Sequence, residues 1–226
     1  MPHLNFNGLD EIWLLKESGN LHWELLESIL ESWTERGERF YASFFQARID
    51  FQSADQGVYK EGDTLHIETS LARFNSKIYR STTTFTNGRH TGVVILDSIF
   101  VLRDDHNNLV KFEPQKQTDI KQIDNINLNE YQLLKRTLPC HGGRQLDFSP
   151  TNFFNGVKLL YCANYLYLSE LSEYLAVGAP LGPIKTADLS YFSNINITDA
   201  VYGLSNNGET TLHTDGKLLS FARIVR

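Results

Sequence analysis

Helix and strand signals follow the same order twice along this chain of 226 residues. A first long helix is predicted with Asn20 as its N-cap, because apolar residues then recur at helical spacing. A second is predicted over 155–177, with Tyr167 and Tyr174 on its apolar face and Gly178 at its end. Strand-like segments joined by Asn-Gly and Asp-Gly turns follow the helices. The repeated order predicts a duplicated α+β unit.

A long helix wrapped by an antiparallel sheet is the hotdog architecture, and two such units in one chain form a double hotdog. We therefore expect an α+β double-hotdog fold, with an N-terminal unit at 1–125 and a C-terminal unit at 126–226. The turns expected within the sheets are Asn87-Gly88, Asn207-Gly208 and Asp215-Gly216.

Charge and motif content exclude several functional classes. The net charge is −6, which argues against general nucleic-acid binding, since that needs a basic surface. No apolar run approaches the roughly 20 residues that cross a bilayer, and the N-terminus lacks the pattern of a secretory signal. Cys140 and Cys162 do not make a disulfide framework, so a reducing cytoplasm is expected. The histidines lack metal-ligand spacing and nucleotide motifs are absent, so neither a metal nor a cofactor is expected.

The segment "SPTNFFNGVKLLYCANYLYLSELSEYL" resembles the signature of the thioesterase branch of the hotdog superfamily, which is an acidic loop followed by the buried helix. In the register set by "LLYCANYL", Asn155 takes the position of the aspartate that catalyses hydrolysis in that branch. An aspartate there acts as base or nucleophile, whereas an asparagine offers a neutral N–H donor. The resemblance therefore implies acyl-thioester chemistry other than simple hydrolysis. As an alternative, Asn155 only caps the second helix.

The N-terminal block "MPHLNFNGLDEIWLLKESGNLHW" resembles the opening of a double-hotdog family of acyltransferase/decarboxylases of polyketide biosynthesis, of the leinamycin-pathway type. The matching positions are Pro2, His3, Leu4, Gly8, Leu9, Glu11, Trp13 to Glu17, Gly19, Asn20, His22 and Trp23. The "F-N-G-x-x-LLY-x-A-N-Y" block of that family also fits Phe154 to Gly156 and Leu159 to Tyr165. Two blocks in the same order and spacing carry the resemblance, which covers most of the chain.

Members of this family are described as decarboxylating a methylmalonyl group taken from coenzyme A and delivering propionyl to an acyl carrier protein. By spacing from the "HW" block, the resemblance implies that Tyr41 is the acyl-accepting or oxyanion-binding tyrosine. It implies a catalytic role for Asn155 as well, and substrate contacts by His3, His22 and Gly156. The residues themselves leave Tyr41 open as a strand aromatic that packs on the helix, and His22 as a structural histidine.

We expect a polyketide-pathway acyl-thioester enzyme that decarboxylates a (methyl)malonyl thioester and transfers the acyl group to an acyl carrier protein. The substrate is an acyl-CoA or a phosphopantetheine thioester, and the reaction needs no metal or cofactor. The alternatives are a hotdog thioesterase or dehydratase on carrier-bound acyl chains, or a non-catalytic acyl-carrier binding module. The expected partners are acyl carrier protein and acyl-CoA, without nucleic acid or membrane, and a homodimer stays open.

Overall fold

The structure is a computed structural model that describes residues 3–29, 40–52, 54–103, 109–111, 120–149, 153–154 and 160–226. Of residues 28–29, 40–41, 102–103 and 109–111 it describes the backbone. The helices in these ranges are α1 (Glu11–Ile29), α2 (Leu128–Thr137), α3 (Cys162–Val177) and a short 3-10 helix (Gln56–Val58). The strands are β1 (Leu4–Asn5), β2 (Gly8–Leu9), β3 (Phe40–Asp50), β4 (His66–Arg73), β5 (Ile78–Thr86), β6 (Thr91–Arg103), β7 (Leu109–Lys111), β8 (Arg144–Leu146), β9 (Thr186–Tyr191), β10 (Val201–Asn206), β11 (Glu209–Thr214) and β12 (Lys217–Val225).

One antiparallel sheet runs through the described part of the chain in the order β4-β5-β6-β3-β9-β12-β11-β10-β8, and β7 pairs with β6. The strands that precede α2 occupy one side of this sheet, and those that follow α2 occupy the other. The two sides meet where β3 pairs with β9, with Ala47 opposite Leu189 and Arg48 opposite Asp188. The division between residues 125 and 126 stays a prediction.

The helices α1 and α3 cover the sheet side by side, each over its own strands. α1 packs on β3, β4 and β6 and fully buries Leu14, Leu15 and Leu26. α3 packs on β8, β10, β11 and β12 and fully buries Leu166 and Leu168. Burial of these side chains is the main force that holds the helices on the sheet. None of the described helices is long and apolar enough to span a membrane.

The two long helices run antiparallel to each other. Glu11, at the start of α1, interacts with Glu170 in α3. Gly19, farther along α1, lies beside Tyr161, which immediately precedes α3. The start of each helix therefore lies beside the middle of the other helix. The chain thus has two comparable helix starts, and a functional site can form at either of them.

The first helix begins earlier than its predicted N-cap. Asn20 lies inside α1 and is exposed, so the capping prediction for Asn20 is wrong. The cap is provided by Asp10, whose Oδ1 atom accepts a 2.7 Å hydrogen bond from the Trp13 amide. An aspartate before the first turn also interacts favourably with the positive end of the helix dipole.

The second helix starts later than predicted, and only part of its predicted apolar face is buried. It begins at Cys162 and ends, as predicted, at Gly178, which adopts a φ of 73°. Tyr167 and Tyr174 are 44% and 47% exposed, so their predicted place on the buried face is wrong. Polar residues such as Ser172 are buried instead, because that face approaches the backbone of β10 closely. The three predicted turns are confirmed as the connections β5–β6, β10–β11 and β11–β12.

Gly203 in β10 allows this close approach. A Cβ atom there would lie 2.4 Å from the Oγ atom of Ser172 in α3. We expect Gly203→Ala to lower the free energy of unfolding by about 1–3 kcal/mol, because the helix and the strand must move apart. Denaturant unfolding checks this, with Gly182→Ala as the control, since a Cβ there meets no atom within 4 Å. Equal stability of the two variants would contradict the prediction.

Candidate functional site

Tyr161 lies where α1 crosses the start of α3. It is the N-cap residue of α3, and its side chain makes no capping hydrogen bond. Its hydroxyl donates a long hydrogen bond of 3.4 Å to the carbonyl of Lys16 in α1. A Cβ atom at Gly19 would lie 3.2 Å from the same hydroxyl. Gly19 therefore lets the two helices come close enough for Tyr161 to reach the backbone of α1.

Hydrogen bonds fix the chain that enters α3. The carbonyl of Phe153 accepts from the Tyr161 amide at 3.1 Å and from the Asn164 side chain at 2.8 Å. Phe154 and Leu160 pair in an antiparallel bridge. These contacts hold both ends of the segment that contains Asn155, although residues 155–159 themselves lie outside the described residues.

Asn194, in the loop after β9, connects that strand to the entry of α3. Its Oδ1 atom accepts hydrogen bonds of 3.2 Å from the Leu160 amide and from the Tyr165 hydroxyl. The Tyr165 hydroxyl also lies 3.1 Å from the carbonyl of Ser193. The Tyr165 ring packs edge-on against Tyr191 with 5.3 Å between ring centroids. Amide and hydroxyl groups thus surround the start of α3.

The ionisable groups at this helix start are held neutral. Burial raises the pKa of Cys162 to about 12, so the thiolate that a nucleophilic cysteine needs does not form at physiological pH. Burial also raises the pKa of Tyr161 and of Tyr165 well above the ordinary tyrosine value. Electrostatic interaction with Cys162 and Glu17 adds to the rise for Tyr161. The two tyrosines therefore act as hydrogen-bond donors and not as bases.

Neutral donors at a helix start can stabilise negative charge that develops on oxygen. The positive end of the α3 dipole lies at this point. The Tyr161 hydroxyl can donate to the oxygen of an enolate or of a tetrahedral intermediate. Residues 160–165 include no carboxylate, so this segment supplies an oxyanion donor without supplying a base.

Carboxyl groups surround the other helix start, that of α1. Glu11 is 4% exposed and accepts a 2.9 Å hydrogen bond from the Gln56 side chain. Arg226 donates to Glu170 at 3.1 Å and to Glu173 at 2.9 Å. Glu170 in turn shares a hydrogen bond with Glu11. These residues connect the start of α1 to the middle of α3.

One carboxyl group of this set keeps its proton. Burial raises the pKa of Glu170 to about 9, and the negative charge of Glu11 adds to the rise against the opposing effect of Arg226. Glu170 is therefore protonated at neutral pH, which makes it a candidate general acid. Within the described ranges, no group of histidine, cysteine and acidic side chains is arranged to hold a metal ion.

The residues with expected catalytic roles are only partly described. Asn155 and Gly156 lie outside the described residues. Tyr41 is described by its backbone, which pairs with Val101 where β3 meets β6. The catalytic roles of Tyr41 and Asn155, and the substrate contact of Gly156, stay predictions.

The two expected substrate-binding histidines lie at different places along α1. His22 is fully buried in α1, with its Nε2 atom 2.8 Å from the Oγ atom of Ser98. Burial lowers the pKa of His22 to about 3, so the imidazole is neutral. His3 is exposed and packs on Trp13 near the start of α1, with 4.4 Å between ring centroids. The structure does not bring the two histidines together, and their substrate contacts stay predictions.

Sequence reasoning missed Tyr161 and Glu170 as functional candidates. A glycine within a helical pattern often marks a close approach of another element, so Gly19 was the signal that could have pointed to a partner such as Tyr161. Glu170 carried no such signal, because its proximity to Glu11 depends on how the two helices pack.

Three-dimensional similarity places the chain among known folds. No protein-family model matches the sequence, and no curated protein matches it. The fold is similar to the 12:0-ACP thioesterase from Umbellularia californica, with a TM-score of 0.64 at 10% identity over 99% of this chain and 89% of that chain. An acyl-ACP thioesterase from Bacteroides thetaiotaomicron gives 0.63 at 9% identity over 99% and 92%. A MaoC-like dehydratase gives 0.51 at 12% identity over 99% and 86%.

These similar structures share the hotdog fold. The chain has the hotdog fold. Identities of 9–12% establish the fold alone, because one fold hosts many unrelated functions. The activity is therefore inferred from the residues at the two helix starts.

Proposed function

We propose that the protein acts on acyl thioesters at the start of α3, where it decarboxylates a (methyl)malonyl-type thioester and passes the acyl group to an acyl carrier protein. The observation that carries this proposal is the neutral hydroxyl of Tyr161 at the crossing of α1 and α3. The fold supports the substrate class, because two of the similar structures are thioesterases of carrier-bound acyl groups. The family resemblance of the N-terminal block supports the decarboxylating reaction.

The proposed reaction has two parts. The bond between the α-carbon and the carboxyl carbon breaks, CO2 leaves, and the bonding electrons stay on the thioester as an enolate, which then takes a proton from water. The acyl group moves to the phosphopantetheine thiol of the carrier, and the thiol of coenzyme A leaves with a proton. The chain must stabilise the enolate oxygen and keep the substrate carboxylate poorly solvated.

Tyr161 meets the first of these needs. Its raised pKa keeps the hydroxyl protonated, so that it can donate to the enolate oxygen throughout the reaction. The raised pKa of Cys162 argues against acyl transfer through this thiol. Tyr41 is proposed as the acyl-accepting or oxyanion-binding tyrosine that the family resemblance implies. As the acceptor, its hydroxyl would hold the acyl group as an ester after the coenzyme A thiol leaves and until the carrier thiol displaces it. Asn155 is proposed as a second neutral donor.

We also propose that two hotdog units are fused in this chain. The triplet Phe-Asn-Gly precedes both long helices, at 6–8 and 154–156. In the first copy Gly8 has a φ of 127°, and a Cβ atom there would lie 2.2 Å from the carbonyl oxygen of Gln56. Gln56 follows β3 and binds the entry of α1, as Asn194 follows β9 and binds the entry of α3. In each half an amide side chain that follows a central strand thus binds the entry of the long helix, and this correspondence supports a duplicated unit.

The protonated Glu170 favours a second candidate function. A buried carboxylic acid next to Glu11 is suited to acid–base chemistry at the start of α1. That chemistry fits hydrolysis or dehydration of an acyl thioester. In this second case the start of α1, and not that of α3, is the active site.

Intact-protein mass spectrometry tests these functions. The protein is incubated with methylmalonyl-CoA and a phosphopantetheinylated acyl carrier protein, and the mass of the carrier is followed with time. Propionyl on the carrier is the expected result. Release of acyl groups from a preloaded carrier, without propionyl transfer, would replace the proposal with the thioesterase function. An unchanged carrier in both assays would contradict acyl transfer and hydrolysis, and would favour dehydration or an acyl-carrier binding module.

A further inference from the structure

A buried layer of polar side chains lies beneath α1. It consists of Ser18 and His22 on α1, Ser81 on β5 and Ser98 on β6, and each of the four is 0% exposed. Ser18 and His22 are four residues apart and so share one face of the helix. These four residues form the polar layer.

The polar layer separates two apolar clusters under the same helix. On one side Leu15 packs in the cluster that contains Leu96 of β6. On the other side Leu26 packs with Tyr79 and Phe100. Ser81 lies opposite Leu96 in the β5–β6 ladder. Small polar side chains thus occupy the positions between the two clusters, whereas the clusters themselves consist of leucine and aromatic side chains.

Three polar atoms of this layer have no hydrogen-bond partner among the described residues. They are the Oγ atom of Ser18, the Nδ1 atom of His22 and the Oγ atom of Ser81. Among the described residues, one hydrogen bond joins members of the layer, between His22 Nε2 and Ser98 Oγ at 2.8 Å. Buried polar atoms without partners are costly, and each needs an explanation such as a bound group.

The layer is suited to a neutral group. Its serines carry no charge, and burial keeps His22 neutral by lowering its pKa to about 3. Asp97, next to Ser98 in sequence, is bound to Arg80 through two hydrogen bonds of 2.7 Å. A hydroxyl or keto oxygen can pair with hydroxyl and imidazole groups, whereas a carboxylate buried there would lack a cation.

The polar layer adjoins the proposed active site. Phe44 packs edge-on against His22, with 5.0 Å between ring centroids. The same ring lies 3.9 Å from a Cβ atom built at Gly19, which also faces the Tyr161 hydroxyl. Gly19 and His22 are three residues apart, about 4.5 Å along the helix. The layer therefore lies within about one helical turn of the point where Gly19 faces the Tyr161 hydroxyl.

We propose that the polar layer is a specificity subsite that binds a hydroxyl or keto oxygen on the acyl substituent of the substrate. This inference rests on the proposed function and adds that, among substrates of the (methyl)malonyl type, those with an oxygenated acyl substituent bind most tightly. Ser18 and Ser81 supply hydroxyls to that oxygen, and His22 supplies a ring nitrogen whose position is fixed by Ser98.

Binding of inert analogues tests the subsite separately from catalysis. Acyl-pantetheine analogues with a methylene in place of the thioester sulfur are compared with and without a hydroxyl on the acyl chain, by isothermal titration calorimetry. We expect the hydroxylated series to include a member that binds at least about tenfold more tightly than its alkyl counterpart. Ser81→Ala and Ser18→Ala are expected to lower this preference to a few-fold or less.

Ser220→Ala is the matched control, because Ser220 is equally buried and its Oγ atom also lacks a described partner, but it lies on β12. This variant should keep the preference of the unmodified protein. If alkyl analogues bind and no hydroxylated analogue binds better, the subsite is overturned while acyl-thioester binding stands. If no analogue binds at all, both the subsite and the proposed function are overturned.

Discussion

Tyr161→Phe is expected to lower the rate of decarboxylative acyl transfer by about 100-fold. Loss of one hydrogen-bond donor to a developing oxyanion typically costs on the order of 10²–10³ in kcat. The hydroxyl is otherwise bonded only weakly, at 3.4 Å from the carbonyl of Lys16. Removal of this oxygen should therefore leave the packing of α1 against α3 unchanged.

The loss should fall on kcat more than on KM. The thioester oxygen of the substrate carries little charge, whereas the enolate oxygen carries a full negative charge. A donor that pairs with the enolate therefore stabilises the transition state more than the bound substrate. A lower kcat with a nearly unchanged KM is the kinetic evidence for an interaction that forms only as charge develops in the transition state.

Steady-state kinetics of propionyl transfer at varied methylmalonyl-CoA concentration check this prediction. Tyr174→Phe is the control, because this tyrosine lies on the same helix but is 47% exposed. The control should keep the kcat of the unmodified protein. A Tyr161→Phe variant with unchanged kcat would contradict the assigned role, and so would an equal loss in the control.

The order of the elements was predictable from the sequence because turns and strands leave local signals. Asn207 and Gly208 both adopt positive φ angles, of 48° and 77°, at the type of turn that an Asn-Gly pair favours. The alternating pattern of β4 and the largely apolar sequence of β6 likewise follow from their places at the edge and within the sheet. Such features depend on residues a few positions apart.

The helix starts and the candidate site were less predictable because they depend on tertiary contacts. α3 begins at Cys162, after a segment held by Phe153 and Asn194, which are far apart in sequence. The buried face of α3 carries Ser172 because Gly203 brings β10 close to it. Periodicity alone placed Tyr167 and Tyr174 on the buried face, and both side chains are exposed.

Raising the pH from 7 to 9 is expected to lower the free energy of unfolding by about 2 kcal/mol, and Glu170→Gln should remove most of this dependence. Burial raises the pKa of Glu170 from 4.5 to about 9, with Glu11 adding to the effect. The side chain is 19% exposed, so solvent screens the effect only in part. Arg226 opposes the rise but does not cancel it.

The direction follows from proton binding. Between pH 4.5 and 9 the folded protein keeps the proton on Glu170 that the unfolded chain has lost. The stability contributed by this proton is full below the unfolded pKa and is lost as the pH rises through the folded pKa. Buried His22, whose pKa falls from 6.5 to about 3, acts in the opposite direction, but only below its unfolded pKa. A start at pH 7 therefore excludes the contribution of His22. Cys162, whose pKa burial raises from 9.0 to about 12, adds a smaller decrease of the same sign near pH 9.

Urea unfolding at pH 7, 8 and 9 measures the effect. Glutamine keeps the shape of a protonated glutamate and can still donate to Glu11, so the variant should fold. Its profile should be much flatter, with a small decrease near pH 9 that comes from Cys162. Glu24→Gln, at an exposed position of α1, is the control and should follow the slope of the unmodified protein. Parallel profiles for the unmodified protein and Glu170→Gln would mean that Glu170 is ionised at neutral pH. The second candidate function, which needs a protonated acid between the helices, would then lose its general acid.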